Sequence, residues 1–229
     1  MAKKAVIIYG PPGSGKGTQA NLLAWTKSFI HFDTGKYLES VVRDPELQNK
    51  PEIKEQRQLF DSGRLLDPPF VLKVVSEKTK QIAKSGYSIV FSGSPRTMFE
   101  AFGEGKEKGL VRILEMEYGR ENLYFIFIDI PPEEAIGRNK TRRVCSVCHL
   151  GILYSDETHN HKTCPICGGN LRIRTVDNPE VLSTRIEEYE KRTAPILAEL
   201  KSRNYLIIKI NGKLAPHKVF EELEKKLNF

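Results

Sequence analysis

Gly10-Pro11-Pro12-Gly13-Ser14-Gly15-Lys16-Gly17-Thr18 places four glycines and a lysine where an anion could be held. Glycines at this density let successive backbone N–H groups turn inward around a phosphate. A lysine behind them reaches the outer phosphates of a nucleoside triphosphate as a mobile point charge. The common phosphate-loop pattern puts a hydroxyl directly after the lysine. Here Gly17 stands there, and Thr18 is the nearest hydroxyl for phosphate or Mg2+. A second set is Cys145-x-x-Cys148 and Cys164-x-x-Cys167, with fifteen residues between the pairs. That is the spacing of a two-knuckle site in which four thiolates close a tetrahedron around structural Zn2+. Two disulfides are the other use of such pairs. His149, His159 and His161 sit nearby and read as surface residues. A third set is arginine: Arg96 in a loop, Arg138 and Arg142 four apart, then Arg143, Arg172, Arg174, Arg185 and Arg192.

These residues need elements to aim them. Ala5 to Tyr9 is a short apolar, β-branched run that reads as a buried central strand. Gln19 to Lys27 follows with helical character, so the glycine loop joins a strand to a helix and gains that helix's N–H donors. Phe29–Phe32, Tyr87–Phe91, Leu123–Ile130 and Tyr205–Ile210 are the further strand candidates. Between them, helices are expected from Asp33 or Thr34 to Val42, Glu52 to Ser62, Asp67 to its end at Gly86, and Thr97 to Glu117, the last interrupted by the glycine- and charge-rich 103–109. Others run from Pro132, from Asn178-Pro179 and from Pro216 to Leu227. Alternating strands and helices predict a parallel five-stranded sheet covered on both faces, a three-layer α/β/α arrangement. Ser92-Gly93-Ser94-Pro95-Arg96 leaves the carboxyl end of a strand, where ligands collect in such sheets, so Arg96 is a candidate phosphate clamp.

At 229 residues the chain can hold one substantial α/β core with inserted lobes. Its net charge of +7 suits an anionic ligand, nucleotide or nucleic acid. No apolar run approaches the roughly 20 residues that span a bilayer. Met1-Ala2-Lys3-Lys4 leads directly into the first strand, so no signal peptide and a cytoplasmic location are expected.

From Gly10 to Gly212 the chain resembles the adenylate kinase family in its zinc-lid form. The resemblance implies a P-loop fold with a helical monophosphate-binding insert and a zinc-binding lid, and transfer of the γ-phosphoryl group of ATP, with Mg2+, to AMP. It implies a core at 1–33, the monophosphate lobe at 34–66, core again at 67–142, the lid at 143–176 and core at 177–229. Gly10, Gly13, Ser14, Gly15, Lys16, Gly17 and Thr18 would bind ATP, with Arg138 against its base. Thr34, Gly35 and Arg96 would bind the acceptor. Arg142, Arg174 and Arg185 would hold the transferring phosphates, beside a lid carboxylate at Asp177. A monomer is expected. The departures cluster on the acceptor side. The family's Asp and Arg after Thr-Gly are here Lys36 and Glu39, and its loop aspartate is Ser92. The glutamine that reads adenine falls at Glu100, which can accept a hydrogen bond but not donate one when ionised. Arg43, one turn from Glu39, is the residue that could pair with it.

Other readings remain in view: a kinase for a different monophosphate, a non-catalytic ATP-binding relative, and a nucleic-acid-binding zinc ribbon. The last is the least favoured, because Arg143, Lys162, Arg172 and Arg174 have only Tyr154 beside them for base stacking.

Overall fold

Strand β1 (Ala5–Tyr9) lies at the centre of the molecule, with every residue at most 3% exposed. The structure is a computed structural model and describes residues 2–152, 158–173, 177 and 179–228. Five parallel strands pair in the order β2 (Ile30–Phe32), β3 (Ile89–Phe91), β1, β4 (Leu123–Asp129), β8 (Ile207–Asn211). Ala5 pairs with Ile89 on one side and Leu123 on the other. Because side chains alternate along a strand, Ala5, Ile7 and Tyr9 pack into one layer, and Val6 and Ile8 into the other. The first layer is closed by α4 (Pro68–Lys84), α6 (Leu110–Tyr118) and α9 (Ala194–Ser202), through Val75, Leu114 and Leu200. The second is closed by α1 (Lys16–Lys27) and α10 (Pro216–Leu227), through Leu23, Phe220 and Leu223.

Local signals set the helix starts. Asp33 caps α2 (Thr34–Val42) by accepting from Lys36 N at 3.2 Å, and Asp67 caps α4 by accepting from Phe70 N at 3.2 Å. Proline occupies the first turn of α3 (Pro51–Asp61), α4, α7 (Pro132–Thr141) and α10, where its missing N–H is no loss. The expected helix of 97–117 is two pieces, α5 (Met98–Phe102) and α6, because Gly103 leaves the first with φ +72°. The helix expected after Asn178 is also divided. α8 (Pro179–Glu188) passes into a π turn over Tyr189–Thr193 before α9 resumes.

Two excursions leave the sheet on its carboxyl side. One is the α2–α3 pair between β2 and α4. The other follows α7 and is a small antiparallel sheet, β6 (Gly151–Ile152), β5 (Arg143–Cys145), β7 (Leu171–Arg172), which carries the four cysteines.

Candidate active site

The glycine loop begins where β1 ends. Gly10, Gly13 and Gly15 have φ of +149°, +91° and +93°. Gly13 is tightly constrained: a Cβ there would lie 2.4 Å from the Ala135 carbonyl and 2.3 Å from Asn139 Nδ2. The loop is thus packed against α7, and only glycine permits both the turn and the approach. Helix α1 starts at Lys16, so its unpaired first-turn N–H groups open onto the loop. Lys16 folds back over the loop, donating from Nζ to the carbonyls of Gly10 at 2.7 Å and Pro11 at 2.8 Å. Loss of water around its ammonium, together with the charges of Arg96, Arg185 and Arg142, pushes Lys16 well below the ordinary lysine range. Four cations from four separate segments are therefore concentrated on one space.

The loop after β3 forms the facing wall. Arg96 Nε donates to the Gly93 carbonyl at 2.6 Å, and the Arg96 carbonyl accepts from Thr193 Oγ1 at 2.8 Å. Its backbone N–H donates to Glu100 Oε2 at 2.9 Å. Glu100 was expected to face the acceptor base. Instead it is 3% exposed and lies behind the wall, where Thr97 Oγ1 accepts from its backbone N–H at 3.1 Å and donates to its Oε1 at 3.0 Å. Burial raises its carboxyl above the usual range, and the donors from Arg96 and Thr97 oppose that. Three buried hydroxyls around this wall, on Tyr9, Thr34 and Ser94, have no partner among the described residues. Unsatisfied buried hydroxyls beside a cavity suit a polar ligand, since each costs free energy until it is paired.

The roof comes from the cysteine lobe and its hinges. Arg142, at the end of α7, binds the Asp177 carboxylate through Nε at 2.8 Å and through its terminal nitrogen; Arg185 Nη1 reaches the same carboxylate at 3.1 Å. Asp177 is fully buried, so it fixes both guanidinium groups at the cavity edge. Beneath them is a cavity of about 620 Å³ lined by Gly10, Gly13, Gly15, Lys16, Gly17, Thr18, Gly35, Arg96, Arg142 and Arg185. Arg138 is not on this wall; it pairs with Glu134 and the Lys213 carbonyl along α7. Ser14 is buried within the loop and Thr34 beneath the wall, while Arg174 lies outside the described residues.

Sequence reasoning passed over several residues that line the same cavity. His149, exposed as expected, and Arg172 border it from the lobe, and Asn21 and His31 face it from the core beside Ser92. Their proximity depends on long-range packing, although each follows or faces a recognisable strand end. On the acceptor side, Lys36, Glu39 and Arg43 also line the cavity. Arg43 pairs with Glu39 Oε1 at 3.3 Å and with Asp61 Oδ1 at 2.6 Å, so the carboxylate at position 39 is not an isolated negative charge.

The ligand atoms of Cys145, Cys148, Cys164 and Cys167 all lie within 4.8 Å of one another. Cys145 and Cys167 sulfurs are 3.4 Å apart and Cys148 and Cys164 sulfurs 3.7 Å apart, as free thiols. A tetrahedral ion with Zn–S bonds of about 2.3 Å needs sulfurs just under 4 Å apart, so the set fits Zn2+. Burial pushes the Cys145 thiol up, but N–H donors of Cys148 and Val147 outweigh it and carry the group down to about 6.

A glycine cradle at the head of a parallel sheet, roofed by arginines, defines the P-loop class of phosphate-binding proteins. The family profile described as adenylate kinase matches residues 8–205. Adenylate kinase of Clostridium tetani is 30% identical over 226 residues, covering 97% of each chain. That of Chlamydia trachomatis serovar D is 32% identical over 97% of this chain and 89% of its own, and that of Chlamydia pneumoniae 31% identical over 98% of both. The chain belongs to the adenylate kinase family.

Proposed function

We propose that this protein transfers the γ-phosphoryl group of ATP to AMP, giving two ADP. The observation that carries this reading is the meeting of Lys16, Arg96, Arg142 and Arg185 on one cavity. Phosphoryl transfer asks a protein mainly to position two groups and neutralise charge spread over the transferring oxygens. In this reading the backbone N–H groups of 10–17 hold the donor phosphates. Lys16 leaves the Gly10 and Pro11 carbonyls for the outer phosphates. Arg96, anchored by Gly93, Glu100 and Thr193, holds the acceptor phosphate, with Thr34 and Gly35 beside it. Arg142 and Arg185, with Arg174 by resemblance, cover the transferring group and exclude water. Arg138 would turn from Glu134 onto the donor base as the lobe closes.

Mg2+ accompanies the ATP and supplies further charge neutralisation between its phosphates. Thr18 and Ser92 are the cavity hydroxyls that suit its hydration shell. The cysteine set is proposed to hold one structural Zn2+ that stiffens the lobe. The protein is read as a cytoplasmic monomer. No helix among the described residues is long and apolar enough to cross a membrane.

The test is an acceptor screen with ATP, Mg2+ and each nucleoside monophosphate. AMP is expected to give the fastest diphosphate formation. A pyrimidine or guanine acceptor turning over faster would transfer the reading to that monophosphate, and tight ATP binding without turnover would make the chain a non-catalytic relative.

A further inference from the structure

The glycine- and charge-rich segment 103–109 takes no part in the site above, yet it borders a second cavity, of about 410 Å³, with α4 and α6. None of the residues around this cavity lines the first one. Pro69, Leu72, Lys73, Ser76 and Lys80 reach it from α4 at three- and four-residue spacing, so they form one stripe of that helix. Ile113, Met116 and Glu117 line it from α6, and Lys106, Glu107 and Lys108 complete the wall. The segment carrying these last three is held in shape. A Cβ at Gly103 would lie 2.0 Å from the Glu107 carbonyl oxygen, and one at Gly109 2.3 Å from the Phe102 nitrogen, so the two ends of the loop are closely apposed. Within it the Glu107 N–H donates to the Glu104 carbonyl at 3.0 Å.

Two independent features of the cavity call for a ligand. Ser76 is 8% exposed, and its hydroxyl has no partner among the described residues. A hydroxyl within a helix commonly donates to the carbonyl four residues back, as Thr79 does to Val75 at 2.7 Å in the same helix. Ser76 keeps its proton uncommitted on the cavity wall. The second feature is the lysines. The ammonium groups of Lys73, Lys80 and Lys106 make no hydrogen bond or ion pair with any described residue. That of Lys108 has only the Met116 sulfur, a weak acceptor, at 3.7 Å. Four ammonium groups thus face two carboxylates, beside apolar surface from Leu72, Ile113 and Met116.

Solvated lysines need no cavity, and this one falls in the range of roughly 300–1,000 Å³ that small-molecule sites occupy. Lysine binds phosphate as a point charge, and several together suit a dianion. We propose that the cavity binds a small amphipathic phosphate, an apolar chain or ring ending in a phosphate monoester. The lysines and Ser76 take the head, and Leu72, Ile113 and Met116 take the body. The proposal is independent of the phosphoryl-transfer reading above.

Met116 is one of three methionines, so methyl groups labelled with carbon-13 give a local nuclear magnetic resonance signal, assigned with Met116→Leu. The full chain is titrated with octyl phosphate below its micelle concentration, with Mg2+ and the β,γ-imido analogue of ATP present in excess to fill the first cavity. The Met116 methyl is expected to shift saturably while that of Met98 stays in place. Octanol lacks the charge and inorganic phosphate lacks the apolar body, so each should bind at least about tenfold more weakly. Replacing both loop lysines, Lys106→Gln with Lys108→Gln, should weaken octyl phosphate about tenfold. Ser76→Ala should weaken it about two- to tenfold, the scale of one lost hydrogen bond. The two lysines are exposed, so the double variant keeps the fold and decides the matter even if Ser76→Ala does not fold. A Met116 signal that does not saturate, an equal response to octanol, or wild-type binding by the double variant or by folded Ser76→Ala overturns the proposal. Cosedimentation with phosphatidate vesicles and no response to octyl phosphate would assign the lysines to a membrane surface, and overturns it equally.

Discussion

Lys16 is half-buried among Arg96, Arg142 and Arg185, and its pKa is depressed by desolvation first and by their charges second. This is the electrostatic cost of a site built to receive a polyanion. Lys16→Met and Arg142→Ala should each lower turnover by about 10²–10³-fold, the scale of losing one preorganised charge stabiliser; steady-state ADP formation measures it. Stability should move differently. A folded-state pKa below the unfolded one means the unfolded chain binds more protons between the two values. Nucleotide-free wild type should therefore gain stability as pH rises from the depressed value toward the ordinary 10.5. Lys16→Met should lack that gain, which urea titrations across alkaline pH would show. Lys16 was legible because its chemistry is written in adjacent residues. Glu100 was misplaced for the opposite reason: its position suggested an acceptor contact, but Thr97 and the Arg96 amide draw its carboxylate behind the wall.

Among the elements, strand β1, the glycine loop and α1 were readable from periodicity and punctuation, as were the capped starts at Asp33 and Asp67. The π turn at Tyr189–Thr193 was not, because a one-residue offset within a helix leaves no compositional mark. It has a consequence, since Thr193 at its end holds the Arg96 carbonyl and ties the α8–α9 junction to the facing wall. The cysteine lobe is the element most dependent on a ligand. Its buried side chains, Cys145, Ile152 and Cys164, make a very small apolar core. Metal binding is folding free energy in such lobes, on the order of 10 kcal/mol in finger peptides. Reduced protein should contain one zinc per chain by elemental analysis. Chelation should melt the lobe and suppress turnover while the sheet's far-ultraviolet dichroism persists. A protein without zinc, or one whose activity in excess Mg2+ survives complete zinc removal, would refute this role.

For the molecule as a whole, the fold brings together residues that the sequence keeps far apart. Loops from β1 and β3 supply the floor and one wall, and the cysteine lobe with its hinges, through Arg142, Asp177 and Arg185, supplies the roof. Of the basic residues behind the net charge of +7, Lys16, Arg96, Arg142, Arg172 and Arg185 line one cavity. The arrangement of floor, wall and roof was expected from the resemblance. The placement of His31, His149 and Arg172 could not be, because it follows from how the lobe and sheet edges meet. The central claim is direct transfer between two bound nucleotides. Incubation with ATP labelled in its γ-phosphoryl group, Mg2+ and AMP tests it, with products separated by chromatography. The label should appear in ADP in step with its loss from ATP, and this should require AMP. Label that stays on ATP, or passes to inorganic phosphate equally with and without AMP, would contradict the account.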